Sequence, residues 1–312
     1  LVGDRAPMAT GVGLEFGAVV GELVASLLTV AAAGTYPPVH LLSDEKFACL
    51  AGERIYLFLV SQGELIWYGE WMDNTDEATF QSTINRFLTT MDEVGQVSGQ
   101  LATEESYAPA SVTTDGWRPV QNAWKTEIPD VDLIECNLHG KKRVSETLDE
   151  FAKAHPEYSA AQLQQVKENL EAVFEASSLA EFSQRIRRNR ERYEDDPILR
   201  QRLDILKEKR FLFTNHFKYE EASAYSAPLD RSMRFLNEKL ESSGQYRAAD
   251  AIDPMLNAWA IVNNLRKFLP DAKKAGQSLA EFFGAQLHGI PWLEALNLCT
   301  VGNLDALIPS PT

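Results

Sequence analysis

The sequence predicts an α/β fold in which a mixed β-sheet is followed by a long helical region. Short apolar or β-branched runs, which are typical of buried strands, are confined to residues 39–136. From residue 144 to about residue 210, apolar residues recur at helical spacing and no strand pattern interrupts them. We therefore expect one large α/β domain that carries an all-helical insertion, with further helices in its C-terminal part.

The opening of the chain predicts one helix and no membrane span. Residues 1–36 are rich in Gly and Ala, and Glu15 and Glu22 interrupt their apolar stretch, which indicates an amphipathic helix. Pro37 and Pro38 then favour an extended break, because proline disfavours helical geometry in the residue before it. We treat 1–36 as an N-terminal helical segment and begin the sheet domain at residue 37.

Three strands are expected next, at 39–43, 54–61 and 64–71. The step Gln62-Gly63 predicts a tight turn, so the second and third strands read as a hairpin. A helix over 73–91 follows, and then a strand at 112–114, a helix at 119–126 and a strand at 131–136. This order predicts an antiparallel hairpin beside parallel strands, with helices covering the sheet.

The remainder of the chain predicts helices. Residues 37–144 would form the first part of the sheet domain, 145–213 a helical insertion, and 214–312 the second part of the domain with a C-terminal tail. The expected helices cover 145–155, 159–176, 178–193, 197–209, 219–240 and 249–268.

Composition narrows the class of protein. The chain has 312 residues, of which 45% are hydrophobic and 24% charged, as in ordinary globular proteins. Its three widely spaced cysteines do not suggest a disulfide framework and favour a reducing, intracellular (cytoplasmic) compartment. The net charge of −15 argues against a surface that is basic throughout, although a local basic run can still contact phosphates.

Two aspartates stand where predicted strands end. Asp44 follows the first strand and Asp115 follows the fourth, where Gly116 permits a sharp turn. An aspartate at a strand end is most often a turn or cap residue. If these two strands are neighbours, however, the two carboxylates can converge and hold a hard cation such as Mg²⁺ or Mn²⁺.

The run Cys136-Asn137-Leu138-His139 spaces two soft ligands closely. A structural zinc site needs four ligands, and no second pair accompanies this one. We therefore expect a structural role, with Cys136 buried and His139 near Lys141 and Lys142.

The pattern of these motifs resembles the ribonuclease-H-like core of DDE transposases, and most closely the Mutator-like and bacterial insertion-sequence group. The matching features are the strand order, the run Val112 to Trp117 around Asp115, the Cys136 to His139 motif with its basic continuation, and the helical insertion before Thr214-Asn215. The resemblance spans roughly residues 39–268. It implies metal-dependent DNA strand cleavage and transfer by a homo-oligomer, with Mg²⁺ or Mn²⁺ held by three acids.

The third acid of this family lies on a helix shortly after a Thr-Asn step. Glu221 is the residue that the resemblance favours, on a helix expected to begin near Lys218, and Glu220 is a near-equal alternative. Both lie later than the family pattern requires. The resemblance thus implies that Asp44, Asp115 and Glu221 are catalytic and bind the metal.

Basic residues after the Cys-x-x-His motif and in the insertion are the expected DNA contacts. They are Lys141, Lys142, Arg143, Arg185, Arg187, Arg188 and Arg190. Acidic residues are interleaved with the arginines, so a solvated helix face is an equally simple interpretation. Two other functions stay open: a catalytically inactive, transposase-derived DNA-binding or structural protein, and a ribonuclease-H-fold nuclease that acts on RNA or hybrid duplexes.

Overall fold

Five strands form a mixed β-sheet in this computed structural model, which describes residues 38–284 except 98, 244–245, 247 and 269–275. The strands are β1 (His40–Leu50), β2 (Glu53–Gln62), β3 (Leu65–Met72), β4 (Ser111–Thr114) and β5 (Asp132–Glu135). They lie in the order β3-β2-β1-β4-β5, with β2 and β3 antiparallel and both the β1–β4 and β4–β5 pairs parallel. The predicted α/β class, the hairpin, and the neighbouring first and fourth strands are confirmed.

The helices follow the predicted order with some shifted boundaries. They are α1 (Glu77–Val97), α2 (Arg118–Glu127), α3 (Asn137–Ala154), α4 (Ala160–Glu171), α5 (Leu179–Arg192), α6 (Pro197–Glu208), α7 (Arg210–Thr214), α8 (Ala227–Ser243), α9 (Ile252–Leu265) and α10 (Leu279–Phe282). Short 3₁₀ turns occupy Ala172–Glu175, Asn215–Lys218 and Ala249–Ala251. Within the described ranges, no helix combines the length and apolar character needed to cross a membrane.

The described chain divides into two compact units. The first contains Asp44–Pro109 and the described residues from Pro228 onward, and therefore holds the hairpin and α1. The second contains His40–Ser43 and Ala110–Ala227, and therefore holds β4, β5 and the helices from α2 to α7. Strand β1 contributes residues to both units.

In the first unit, side chains from α9 protect the edge strand β3. Asn264 accepts a hydrogen bond from the Ile66 backbone N–H at 2.9 Å and donates one to the Ile66 carbonyl at 2.7 Å. Asp253 accepts a hydrogen bond from the Trp71 N–H at 3.1 Å. An unpaired strand edge is a template for association with other chains, and these side chains occupy its polar groups.

In the second unit, the parallel strands are buried and short. All four residues of β4 are buried, as expected for a strand covered on both faces. Trp124 of α2 is fully buried, and its indole N–H donates to Ser43 at 3.3 Å. This contact attaches the helix after β4 to the beginning of β1.

The helices between residues 144 and 213 share a hydrophobic core of their own. Phe174, Phe182 and Phe213 pack together in it, with ring centroids 5.2–6.2 Å apart. Gly140 of α3 lies against this cluster, because a Cβ there would come within 2.4 Å of the Phe174 ring. Residues 145–213 contain helices and turns without a strand, and they belong to the same compact unit as β4 and β5.

Three predicted boundaries are wrong. Strand β1 continues to Leu50 instead of stopping before Asp44. Helix α3 begins at Asn137 instead of Ser145. Gly140 fits inside this helix because its lack of a side chain leaves room for the rings of Phe174 and Phe213. Helix α8 begins at Ala227 instead of near residue 219. The helix predicted within residues 1–36 lies outside the described residues.

Candidate functional site

Asp44 lies inside β1 rather than at its end. Its side chain is half-buried, and its Oδ1 accepts a hydrogen bond from the Glu45 backbone N–H at 2.8 Å. The parallel register of β1 with β4 pairs His40 with Ser111 and ends with Leu42 opposite Thr113. Asp44 therefore follows the last β1 residue that pairs with β4 by two positions.

Asp115 occupies the turn that follows β4. Its Oδ1 accepts a hydrogen bond from the Trp117 N–H at 2.7 Å, which closes a local turn before α2. Asp115 follows Thr113, the last residue of β4 paired with β1, by two positions, as Asp44 follows Leu42. The position of Asp115 at the carboxyl end of a parallel strand is where α/β folds commonly carry their ligands.

Gly116 makes this turn possible in two ways. Its φ of 91° lies in the region that side-chain-bearing residues rarely adopt. A Cβ at Gly116 would also lie 2.4 Å from the carboxyl carbon of Glu135. The sequence predicted the turn, and the structure adds the close neighbour that excludes a larger residue.

Glu135 is a buried acid that the sequence analysis did not identify as functional. It ends β5 opposite Thr114, and its side chain is 1% exposed. Its two carboxylate oxygens form ion pairs with Arg143 and, at 2.7 Å, with Lys209. Since an isolated carboxylate is very unfavourable in the interior, these two cations are what permit its burial.

Arg143 connects Glu135 to the Asp115 turn. While one of its terminal nitrogens pairs with Glu135, the other donates to the Asp115 carbonyl oxygen at 2.8 Å. Arg143, predicted as a DNA contact, therefore acts within the protein and orients the backbone of the turn that carries Asp115.

Cys136 is buried, as the sequence predicted. It precedes α3, and its Sγ lies 3.3 Å from both the backbone N and the side-chain Oγ of Ser226. Burial acts to raise the pKa of the Cys136 thiol, but hydrogen bonds from His139 and Ser226 outweigh it and lower that pKa. The Cys-x-x-His motif thus joins the end of β5 to the segment that leads into α8.

Glu221 is not on a helix, contrary to the prediction. Both Glu220 and Glu221 are exposed and lie between the 3₁₀ turn ending at Lys218 and the start of α8 at Ala227. The acids follow a Thr-Asn step, but residues 222–226, which are neither helix nor strand, separate them from α8.

Residues on both sides of Glu221 contact the parallel strands. Tyr219 donates to Asp132, the first residue of β5, at 2.8 Å, and its ring lies 4.8 Å from that of His40, the first residue of β1. Burial lowers the pKa of His40, and the negative charge of Glu221 partly offsets this. Beyond Glu221, the Ser223 carbonyl accepts a hydrogen bond from the Thr113 hydroxyl at 2.7 Å, and the Ala224 carbonyl accepts one from the Asn137 N–H at 2.9 Å.

The described residues do not contain a group of three or more His, Cys, Asp or Glu side chains placed to hold a metal ion. The assignment of Asp44, Asp115 and Glu221 to one metal site stays a prediction.

Most of the predicted DNA-contacting side chains interact with acids of the protein itself. Lys141 pairs with Glu175 at 3.4 Å, and Arg185 pairs with Glu181 at 2.7 Å. Lys142 is exposed.

The remaining three predicted contacts are consecutive or nearly consecutive arginines of α5. Arg187 lies 3.7 Å from Glu191, and Arg190 lies 2.8 Å from Asp204. Arg187 and Arg188 are both exposed.

Comparison with known proteins identifies no relative: the sequence matches no protein-family model, and no curated protein sequence matches it.

Proposed function

We propose that this chain is the catalytic core of a DDE-type DNA transposase, which cleaves and joins DNA strands with a divalent metal ion. One observation carries the proposal. β1 and β4 are parallel neighbours, and in each strand an aspartate follows by two positions the last residue that pairs with the other strand, Leu42 in β1 and Thr113 in β4. The strand order and the helices that follow β5 support it, because they agree with the arrangement that the sequence resemblance implies.

The proposal assigns metal binding to Asp44 and Asp115. Carboxylate oxygens are the preferred ligands of Mg²⁺ and Mn²⁺, and Asp115 has one oxygen engaged by the Trp117 N–H. When bound, the metal would activate a water or a terminal 3′-hydroxyl and stabilise the leaving oxygen. Because no group of three or more such ligands is found among the described residues, we derive no step through Glu221.

The residues around Asp115 would serve to position it. Arg143 holds the Asp115 carbonyl, and Gly116 permits the turn beside Glu135. Because Arg143 and Lys209 already engage the oxygens of Glu135, this buried acid is a structural counter-ion in the proposal and does not bind metal.

The test is DNA cleavage by the intact chain. Supercoiled plasmid would be incubated with protein and Mg²⁺ or Mn²⁺, with EDTA as the control, and relaxed and linear products would be measured. We expect relaxation that depends on metal. Labelled DNA duplex and DNA–RNA hybrid should be compared in the same assay, because cleavage confined to the hybrid would indicate a nuclease of the other substrate class.

Glu221→Gln and Glu220→Gln form the matched pair that tests the third acid. Both glutamates are exposed, so neither change should affect folding. Loss of cleavage in Glu221→Gln alone would assign the third acid to Glu221. Equal activity of both variants and the parent would show that neither glutamate is catalytic.

A second candidate is a transposase-derived DNA-binding protein without catalysis. The observation that favours it is the lack of a group of three or more candidate metal ligands among the described residues. A parent protein that binds DNA but does not cleave it with either metal would establish this alternative.

A further inference from the structure

A cleft on the surface of the helical insertion gathers positive charge. It lies between α5, the C-terminal end of α6 and the start of α7, and its volume is about 330 Å³. This volume is at the lower end of the range of about 300–1,000 Å³ that is typical of small-ligand pockets. The residues that line this insertion cleft are Ser183, Ile186, Arg187, Arg190, Lys207 and Arg210.

The charge of the insertion cleft is not balanced by the ion pairs around it. Arg187 and Arg190 pair with Glu191 and Asp204, respectively. Lys207 and Arg210 form no ion pair with any acid in the described part of the chain. Four cations against two paired carboxylates give the cleft an excess of positive charge in a protein whose net charge is −15.

Arg210 is held in place at one side of the cleft. One terminal nitrogen donates to the Lys207 carbonyl at 3.0 Å, and the guanidinium lies 4.3 Å from the centroid of the Phe211 ring. Phe211 is 50% exposed, which is unusual for so large an apolar side chain. An exposed aromatic ring beside a basic groove is the combination with which proteins hold single-stranded nucleic acid: the cations follow the phosphates, and the ring stacks on a base.

We propose that the insertion cleft binds the sugar–phosphate backbone of single-stranded DNA, with an unpaired base against Phe211. Here Arg187, Lys207 and Arg210 contact phosphate, and Ser183 can donate a hydrogen bond to a phosphate oxygen. This inference rests on the proposed function for its choice of DNA. The inference distinguishes two of the arginines that the sequence predicted as DNA contacts. Arg187 lines the cleft, whereas its neighbour Arg188 is also exposed but does not line it.

The matched variants follow from that difference. Arg187→Gln and Arg188→Gln remove one exposed charge each from neighbouring positions of α5. Arg187→Gln/Arg210→Gln removes two cleft charges, and Phe211→Ala removes the ring. Binding of a fluorescein-labelled single-stranded oligonucleotide would be measured by anisotropy in EDTA at several salt concentrations. Circular dichroism and thermal melting would verify that each variant is folded.

We expect the double variant to bind at least about tenfold more weakly at moderate salt, and its log–log salt slope to be shallower by about 1.4, as for two lost single-strand phosphate contacts. Phe211→Ala should weaken binding by about tenfold. Arg188→Gln should change affinity by less than about twofold.

Several results would overturn the proposal. One is equal weakening by Arg187→Gln and Arg188→Gln, which would indicate diffuse electrostatics. A second is parent-like DNA affinity in the double variant. This result would overturn the proposal even if ³¹P NMR showed that the cleft binds inorganic phosphate. A third is tighter binding of RNA of the same sequence through the same arginines.

Because binding is measured without metal, its outcome is separate from that of the cleavage test. DNA bound through the cleft without cleavage would leave this inference standing and reject the transposase activity. If the parent cleaves DNA and the cleft variants bind DNA as tightly as the parent, the transposase activity stands and this inference is rejected.

Discussion

Arg143 neutralises Glu135, and the same guanidinium holds the carbonyl oxygen of Asp115 at 2.8 Å. The first contact makes a buried acid tolerable at the end of β5. The second ties the turn after β4 to α3. One side chain thereby couples the stability of this sheet edge to the position of the aspartate that we propose to be catalytic.

Replacing Arg143 by Gln should destabilise the protein by about 2–3 kcal/mol, because it leaves Lys209 as the remaining ion-pair partner of a buried carboxylate. The free energy of unfolding from urea titration would measure this. A Glu135→Gln/Arg143→Gln double variant should recover much of the loss, because it also removes the buried charge that the single variant leaves with one of its two partners. A single variant as stable as the parent would show that the pair is unimportant.

Gly140→Ala should also destabilise the protein, although alanine normally favours a helix by about 1 kcal/mol over glycine. The added Cβ would lie 2.4 Å from one atom of the Phe174 ring and 2.9 Å from the Phe213 ring. Displacing rings in a packed core costs about 1–3 kcal/mol. Thermal melting would measure the change. A higher melting temperature for Gly140→Ala would contradict the packing described.

Much of the fold is predictable because its signals are local. The apolar runs of β2 and β4 and the Gln62-Gly63 turn identify those strands within a residue or two. The boundaries that were wrong depend on distant contacts. Gly140 suggests a loop in sequence, and only the rings of Phe174 and Phe213 explain its place in α3.

His155 should make the stability of the insertion depend on pH. Its imidazole contacts Glu157 at 3.1 Å and Asp196, which caps α6, at 2.7 Å. The hydrogen bond with Glu157, followed by that with Asp196, raises the pKa of His155 above its ordinary value. The folded state therefore binds the proton more tightly, so the stabilisation is complete below about pH 6.5 and is lost as pH rises through the raised pKa.

The melting temperatures of the parent and His155→Gln would test this. The parent should exceed the variant at about pH 6 and lose that advantage by about pH 8.5. An advantage that is constant or grows with pH would contradict it.

Asp253→Asn should stabilise the protein above neutral pH. Burial, aided by the charge of Glu70, raises the pKa of Asp253 to about 6. The folded state favours the protonated form of Asp253. The stability that protonated Asp253 contributes is therefore lost as pH rises from about 4 through 6. Asparagine is uncharged and can still accept the Trp71 hydrogen bond.

The expected gain for Asp253→Asn at pH 8 is about 1 kcal/mol, discounted from about 3 because the carboxylate is partly exposed. Urea titrations at about pH 5 and pH 8 would measure it, and the gain should shrink at the lower pH. A variant less stable than the parent at pH 8 would show that the charged form is favoured.

The candidate site is less predictable than the fold. Asp44 and Asp115 can be found in sequence because each follows a strand pattern, but an acid inside an apolar run such as Glu135 reveals nothing of its partners. Lys209 lies 74 residues away from Glu135 along the chain. The position of Glu221 depends on Tyr219 and its contact with Asp132, which no local pattern encodes.

Metal-dependent DNA cleavage by Asp44→Asn and Asp115→Asn tests the central claim most directly. Asparagine at 115 can still accept the Trp117 hydrogen bond, so the fold should persist while a metal ligand is weakened. Asp130→Asn, in the exposed turn before β5, is the matched control. We predict that each of the first two variants loses cleavage by at least about 100-fold while Asp130→Asn retains it. Parent-like cleavage by Asp44→Asn or Asp115→Asn would contradict the account.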